Sequence, residues 1–131
     1  MACTACSAST VVFSIPEEYR EHAPGESPAG TLCTRCLNVD PEGGSPLEEP
    51  DFTRVSDAYP SDPDAAIPLA LAVDLCSSLA TNRTAIEALF DAVERAGTDP
   101  LLVLDRLIDD PDVEPTIDLE RRRHQLEQLL Y

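Results

Sequence analysis

With 131 residues and a mass of 14.2 kDa, the chain has room for one domain, or for a small module tethered to another. Twenty-five acids stand against nine bases, all of them Arg, giving a net charge of −16. That balance argues against a general polyanion binder and against attraction to an anionic membrane, both of which need a basic face. Apolar residues make up 43 %, enough for part of the chain to fold around a core.

The acid excess is spread evenly: residues 1–63 hold 11 acids and three Arg, residues 64–131 hold 14 acids and six Arg. A surface of this kind repels itself in dilute buffer, whereas at about 1 M salt the screening length falls to about 3 Å. Acidic and Lys-free composition therefore predicts a salt-loving archaeal cytoplasm, with GC-rich codon usage in an ordinary cell as the alternative. The opening Met1-Ala2-Cys3 has neither a basic region nor an apolar run, so no secretory signal is predicted and the expected location is cytoplasmic. The longest weakly charged stretch, Ala65 to Asn82, contains Asp74 and Pro68 and predicts a buried helix, with no membrane partner.

In chain order, Cys3-Thr4-Ala5-Cys6 comes first, followed by a strand-like run Thr10 to Ile15, a helical turn around Pro16 to His22, and a second β-like stretch Gly30-Thr31-Leu32. Cys33-Thr34-Arg35-Cys36 closes this part. Residues 41–63 carry five Pro, two adjacent Gly and six acids against one Arg, a linker by composition, in which Phe52, Val55 and Tyr59 could dock as a short helix. From Asp64 the periodicity is helical. Leu69, Ala72, Val73, Cys76 and Leu79 share one face of a buried helix. Thr84 and Glu87 form the pattern of a capping box for a second helix, which ends at Gly97. Thr98-Asp99-Pro100 opens a third, with Leu101, Leu104, Leu107 and Ile108 facing in. Thr116 is the predicted cap of a fourth, whose apolar positions are Leu119, Leu126, Leu129 and Leu130. The expected fold is thus α+β and mainly α: residues 1–40 a small β-stranded ribbon, 41–63 an acidic Pro-rich linker, 64–131 a bundle of about four helices.

The chemistry lies in the two CxxC pairs. Each can place two thiolates on one side of a tight knuckle, and two knuckles together make a tetrahedral four-sulfur site for Zn²⁺. Cys3, Cys6, Cys33 and Cys36 are the predicted ligands of one structural zinc per chain, with an iron–sulfur cluster or two redox dithiols as the alternatives. With four sulfurs bound, no coordination position remains open for water or substrate. Cys76 reads as a core residue, and His22 as a surface residue or a substitute ligand. Arg121, Arg122 and Arg123, followed by His124, form the sole basic cluster, a candidate interaction site. Intrahelical pairing with Asp118, Glu120 and Glu127 competes there with docking on the acidic ribbon or linker and with a nucleic-acid contact. No nucleophile elbow, phosphate loop or HExxH pattern is present, so no catalytic residue is predicted.

The knuckles, the segments VVFSIPEEYREHAPG (11–25), LCTRCL (32–37) and DPLLVLDRL (99–107), and the closing DLERRRHQLEQLL (118–130) resemble a group of uncharacterised haloarchaeal proteins. These are similar to the small CPxCG-related zinc finger proteins. The resemblance implies zinc ligation by the four Cys and no activity. Thr4 and Thr34 stand where that pattern has Pro, and Ser7 and Leu37 where it has Gly, so both knuckles ask a side-chain-bearing residue to do what Gly does at positive φ.

The function expected is therefore a zinc-stabilised, noncatalytic interaction or regulatory protein with a protein partner. The rivals are a nucleic-acid-associated ribbon and a thiol-redox protein or enzyme. An adaptor surface would use Phe13, Tyr19, Phe52, Tyr59 and the Arg cluster as anchors.

Overall fold

The computed structural model describes residues 3–42 and 49–131; the middle of the Pro-rich segment, including the Gly43-Gly44 pair, lies outside the described residues. Strands β1 (Thr10–Ser14), β2 (Ala29–Cys33) and β3 (Val39–Glu42) form an antiparallel sheet in the order β1-β2-β3, and helices α1 (Pro63–Leu75), α2 (Leu79–Arg95), α3 (Pro100–Asp109) and α4 (Leu119–Leu130) follow. The α+β, mainly helical architecture is the one expected.

In β1, Val11, Phe13 and Ile15 point to the core while Val12 and Ser14 do not, the period-two pattern of a half-buried strand. Thr10 pairs with Cys33 and Ser14 with Ala29, so the register that buries Phe13 also brings the second knuckle beside the first. Gly30 is required opposite Phe13: a Cβ there would stand 3.3 Å from the Phe13 ring and 3.3 Å from the Asp40 carbonyl oxygen. β3 is not apparent in the sequence, because Pro41 lies within it; on an edge strand the missing N–H costs no ladder bond.

One apolar core takes residues from every part of the chain: Val11, Phe13 and Leu32 of the sheet, Phe52, Val55 and Tyr59 of the connecting segment, and the inner faces of all four helices. The short helix expected around Phe52 is a 3-10 turn, Phe52–Arg54, capped by the Asp51 side chain. The Phe52 ring lies between Phe13, 5.7 Å away, and Tyr59, 6.0 Å away, and the Tyr59 hydroxyl donates to the Ala66 carbonyl in α1 at 2.8 Å. Aromatic residues expected to anchor a partner are thus consumed internally: Phe13, Phe52 and Tyr59 are buried and Tyr19 is half-buried against the core.

α1 is buried from Ala65 through Val73. The span Pro63–Arg95 is long and apolar enough to cross a membrane by length and composition, yet 61 % of its most apolar window is buried inside the fold, as in the core helix of a soluble protein. The chain turns at Cys76–Ser78, earlier than the predicted boundary. Ser78 leaves helical space (φ −132°, ψ 63°), and the Asn82 side chain reaches back to donate to the Leu75 carbonyl at 3.1 Å, satisfying one of the orphan acceptors at the end of α1. Thr84 and Glu87 consequently lie on the exposed face within α2 and cap nothing. The end of α2 behaves as read: Gly97 takes φ 92°, its N–H donates to Glu94 and that of Thr98 to Val93, a Schellman motif. Asp99 caps α3 through the Leu101 and Leu102 N–H groups. At α4 the cap is Asp118, not Thr116, and Leu129 is exposed.

α1 also packs on β3, where Asp74 accepts a hydrogen bond from the Val39 N–H beside Asp40. Burial raises the Asp74 carboxyl to about 6, with the Asp40 charge adding to the rise and the Val39 bond opposing it. Because the folded chain keeps this proton after the unfolded chain has lost it, stability falls as pH rises from about 4 to about 6 and then levels off. Asp74→Asn is expected to remove that slope and to stabilise the fold at pH 7 by about 1–2 kcal/mol, a figure discounted for partial solvation, as urea unfolding across pH will measure.

Candidate metal centre

Two knuckles of matching geometry form the site. In the first, the Cys3 N–H donates to the Ala8 carbonyl at 2.8 Å; in the second, the Cys33 N–H donates to the Asn38 carbonyl at 2.9 Å. Each turn closes through a residue at positive φ, Ser7 at 64° and Leu37 at 62°, the positions where Gly would be unstrained. What tolerates the second is burial, since Leu37 packs its side chain into the core, only 3 % exposed. Ser7 is exposed and gains no such compensation. Ser7→Gly is therefore expected to stabilise the metal-loaded protein by about 1 kcal/mol. Leu37→Gly is expected to destabilise it by about 2 kcal/mol or more, because the lost packing outweighs the relieved backbone. Denaturant unfolding at saturating zinc distinguishes the two signs.

Strand pairing brings the knuckles together, and the Thr34 N–H bond to the Ser9 carbonyl at 3.0 Å ties them beyond the end of the sheet. The four Sγ atoms of Cys3, Cys6, Cys33 and Cys36 all lie within 4.8 Å of one another, with Cys3 to Cys36 at 3.6 Å and Cys6 to Cys33 at 3.4 Å. Four sulfurs around a single ion at about 2.3 Å stand about 3.8 Å apart in a tetrahedron, so the cluster needs adjustments of only tenths of an ångström on these two edges. Cys3, Cys33 and Cys36 are buried and Cys6 is half-buried, so the site has one face near solvent.

Backbone N–H groups point at the sulfurs: Ala5 at Cys3, and Arg35 and Cys36 at Cys33, each at 3.4 Å. Burial pushes the Cys3 thiol up, but the N–H groups of Cys6 and Ala5 and the neighbouring thiols outweigh it and bring it down to about 7. Burial dominates at Cys33 and Cys36 and raises both. A dication held between the four sulfurs would favour their thiolate forms and release protons on binding.

The other residues singled out in the sequence stand apart from this cluster. Cys76 is buried at the turn between α1 and α2, and burial pushes its thiol up to about 12. His22 is half-buried, 3.5 Å from Glu21. Within the Arg cluster, Arg123 Nε meets Asp105 of α3 at 2.7 Å and Arg123 also pairs with Glu127, while Arg122 donates to Gln125 at 3.0 Å. Arg121 lines a groove of about 610 Å³ between α3 and α4 with Asp109, Asp118 and Glu120. The internal partner of the cluster is therefore α3, not the ribbon or the linker.

Sequence reasoning did not identify what covers the second knuckle. Residues 110–118, between α3 and α4, cross its tip: the Glu114 N–H donates to the Arg35 carbonyl at 2.8 Å and the Thr116 N–H to that of Cys36 at 3.3 Å. Asp110 accepts from the Ser56 hydroxyl at 2.6 Å, tying the same segment to the linker. The traces of this in the sequence are Val113, buried, and Ile117, half-buried against the core, the two large apolar residues of an otherwise polar, Pro-containing break.

Residues 2–130 of the chain match one family over nearly its whole length. The chain belongs to the family of unknown function DUF6276. Comparison with curated proteins found no match, and comparison with solved structures found none.

Proposed function

We propose that the protein is a noncatalytic interaction or regulatory module built on a zinc ribbon, in which one Zn²⁺ held by Cys3, Cys6, Cys33 and Cys36 fixes the N-terminal fold. The observation that carries this reading is the convergence of four Sγ atoms within 4.8 Å. That spacing suits one ion better than a multi-iron cluster, whose irons stand between the thiolates and hold them farther apart. An all-sulfur donor set favours zinc among common mononuclear ions and leaves no open position for catalysis. The acidic surface suits a concentrated-salt cytoplasm. A protein partner fits better than nucleic acid, because Arg123 is already neutralised by two carboxylates and the groove beside Arg121 holds acids.

Affinity purification in molar KCl with nuclease, followed by metal analysis of the eluted protein, tests the reading. The expected result is one zinc per chain, no iron, and association with protein that survives nuclease. Iron, or well under one zinc per chain, overturns the metal assignment. Recovery of nucleic acid without nuclease that disappears when Arg121, Arg122 and Arg123 are all changed to Ala overturns the choice of partner.

A further inference from the structure

The metal centre does not end at its ligands. Residues 110–118 rest on the carbonyls of Arg35 and Cys36, both of which belong to the turn of the second knuckle. A cavity of about 50 Å³ marks the junction, bounded by Cys36 and Leu37 of the knuckle, Val73 and Asp74 of α1, and Thr116 and Ile117 of the segment. Immediately beyond lies α4, the helix with the least burial of the four: among its residues only Leu119 and Leu126 are buried. Beyond these, half-buried Leu130 packs against the core, and the other ties are polar and close to solvent, namely Arg123 to Asp105, the Arg83 guanidinium to the Leu129 carbonyl at 3.0 Å, and, just past the helix, the Tyr131 hydroxyl to Glu94. Surface ties of this kind hold an element weakly. Elements with few buried apolar contacts open first.

We infer that residues 110–118 are a metal-gated latch: an occupied knuckle seats the segment and keeps α4 docked, and metal loss releases the segment and α4 together while the α1–α2 pair stays folded. The inference rests on reading the four-cysteine cluster as a metal centre, and adds that its occupancy is transmitted to the far end of the chain. α1 and α2 make the largest helix–helix contact and carry a larger share of the core than α3 and α4, so they have the means to persist when α4 is released.

The chain supplies its own probe. It has no Lys, so trypsin cuts only after Arg, and Arg121, Arg122 and Arg123 lie on α4, Arg83 and Arg95 on α2, and Arg35 in the knuckle. Full-length protein is digested under native salt with zinc saturating and after zinc removal by EDTA, with bound zinc measured in parallel. Cleavage after Arg35 and after Arg121 to Arg123 is expected to accelerate together at least tenfold on zinc removal, while cleavage after Arg83 and Arg95 stays slow. Thr116→Pro, which deletes the N–H that meets Cys36, is expected to retain one zinc per chain and yet show the fast cleavage on α4 with zinc present. Acceleration at Arg35 alone overturns the latch and leaves the metal centre standing. Equal acceleration at every Arg also overturns it, by showing general unfolding. Failure to bind zinc at all removes both readings, and a Thr116→Pro protein whose α4 stays resistant while zinc is bound overturns the hydrogen-bonded route.

Discussion

Cys36→Ser is expected to abolish stoichiometric zinc binding and to lower stability by about 4 kcal/mol or more, the amount a ligand present at a thousand times its Kd contributes. Structural zinc sites in small peptides bind with apparent free energies of about 10–16 kcal/mol at pH 7, which rivals the whole stability of an ordinary domain. The loss falls first on the four-cysteine cluster, because the buried residues around Cys3, Cys33 and Cys36 are separate from the main core and include no large side chain, Leu37 alone tying the second knuckle to that core. Cys76→Ser is the matched control. It makes the same chemical change at a buried thiol away from the cluster and is expected to cost about 1–3 kcal/mol for an inserted hydroxyl with zinc content unchanged. Metal analysis combined with thermal unfolding separates the two variants; equal zinc in both would show that Cys36 is not a ligand.

Phe52→Ala is expected to cost about 3–5 kcal/mol, the usual range for emptying a fully buried aromatic site. Phe52 has no exposed surface and stands between Phe13 of the sheet and Tyr59, which is in turn bonded to α1. Its removal therefore leaves a cavity at a place where sheet, connecting segment and helices meet. Denaturant unfolding will show whether the variant still melts in one step. A loss below about 1 kcal/mol, a value typical of surface positions, would mean that sheet and helices are not joined through this ring.

The residues that identify themselves in the sequence are those whose role is local. Four thiols at two CxxC spacings are legible because each knuckle is built within a few residues, and the Gly97 terminus and the Asp99 cap are legible for the same reason. The start of α2 is hidden because Thr84 and Glu87 spell a capping box within the helix, whereas the Asn82 side chain serves the preceding one. β3 was hidden by Pro41. Composition marks residues 41–63 as a linker, and the burial of Phe52, Val55 and Tyr59 depends on partners far away in the chain that no local pattern records. The cover over the second knuckle is hardest to read of all, since it consists of backbone N–H groups, which every residue except Pro possesses.

That cover also sets an order of assembly. The sulfur pairs close loops of 33 and 27 residues in sequence separation, whereas the N–H groups that reach Arg35 and Cys36 come from Glu114 and Thr116, near the other end of the chain. Shorter loops close at lower entropic cost, and synthesis proceeds from the N-terminus, so the four thiols emerge and can gather around an ion while the rest is still being made. During that interval the carbonyls of the second knuckle face water and the apolar rim around Leu37 is open. A ribosome pausing within α2 or α3 would hold the chain in this half-covered form, which residues 110–118, made after α3, then close.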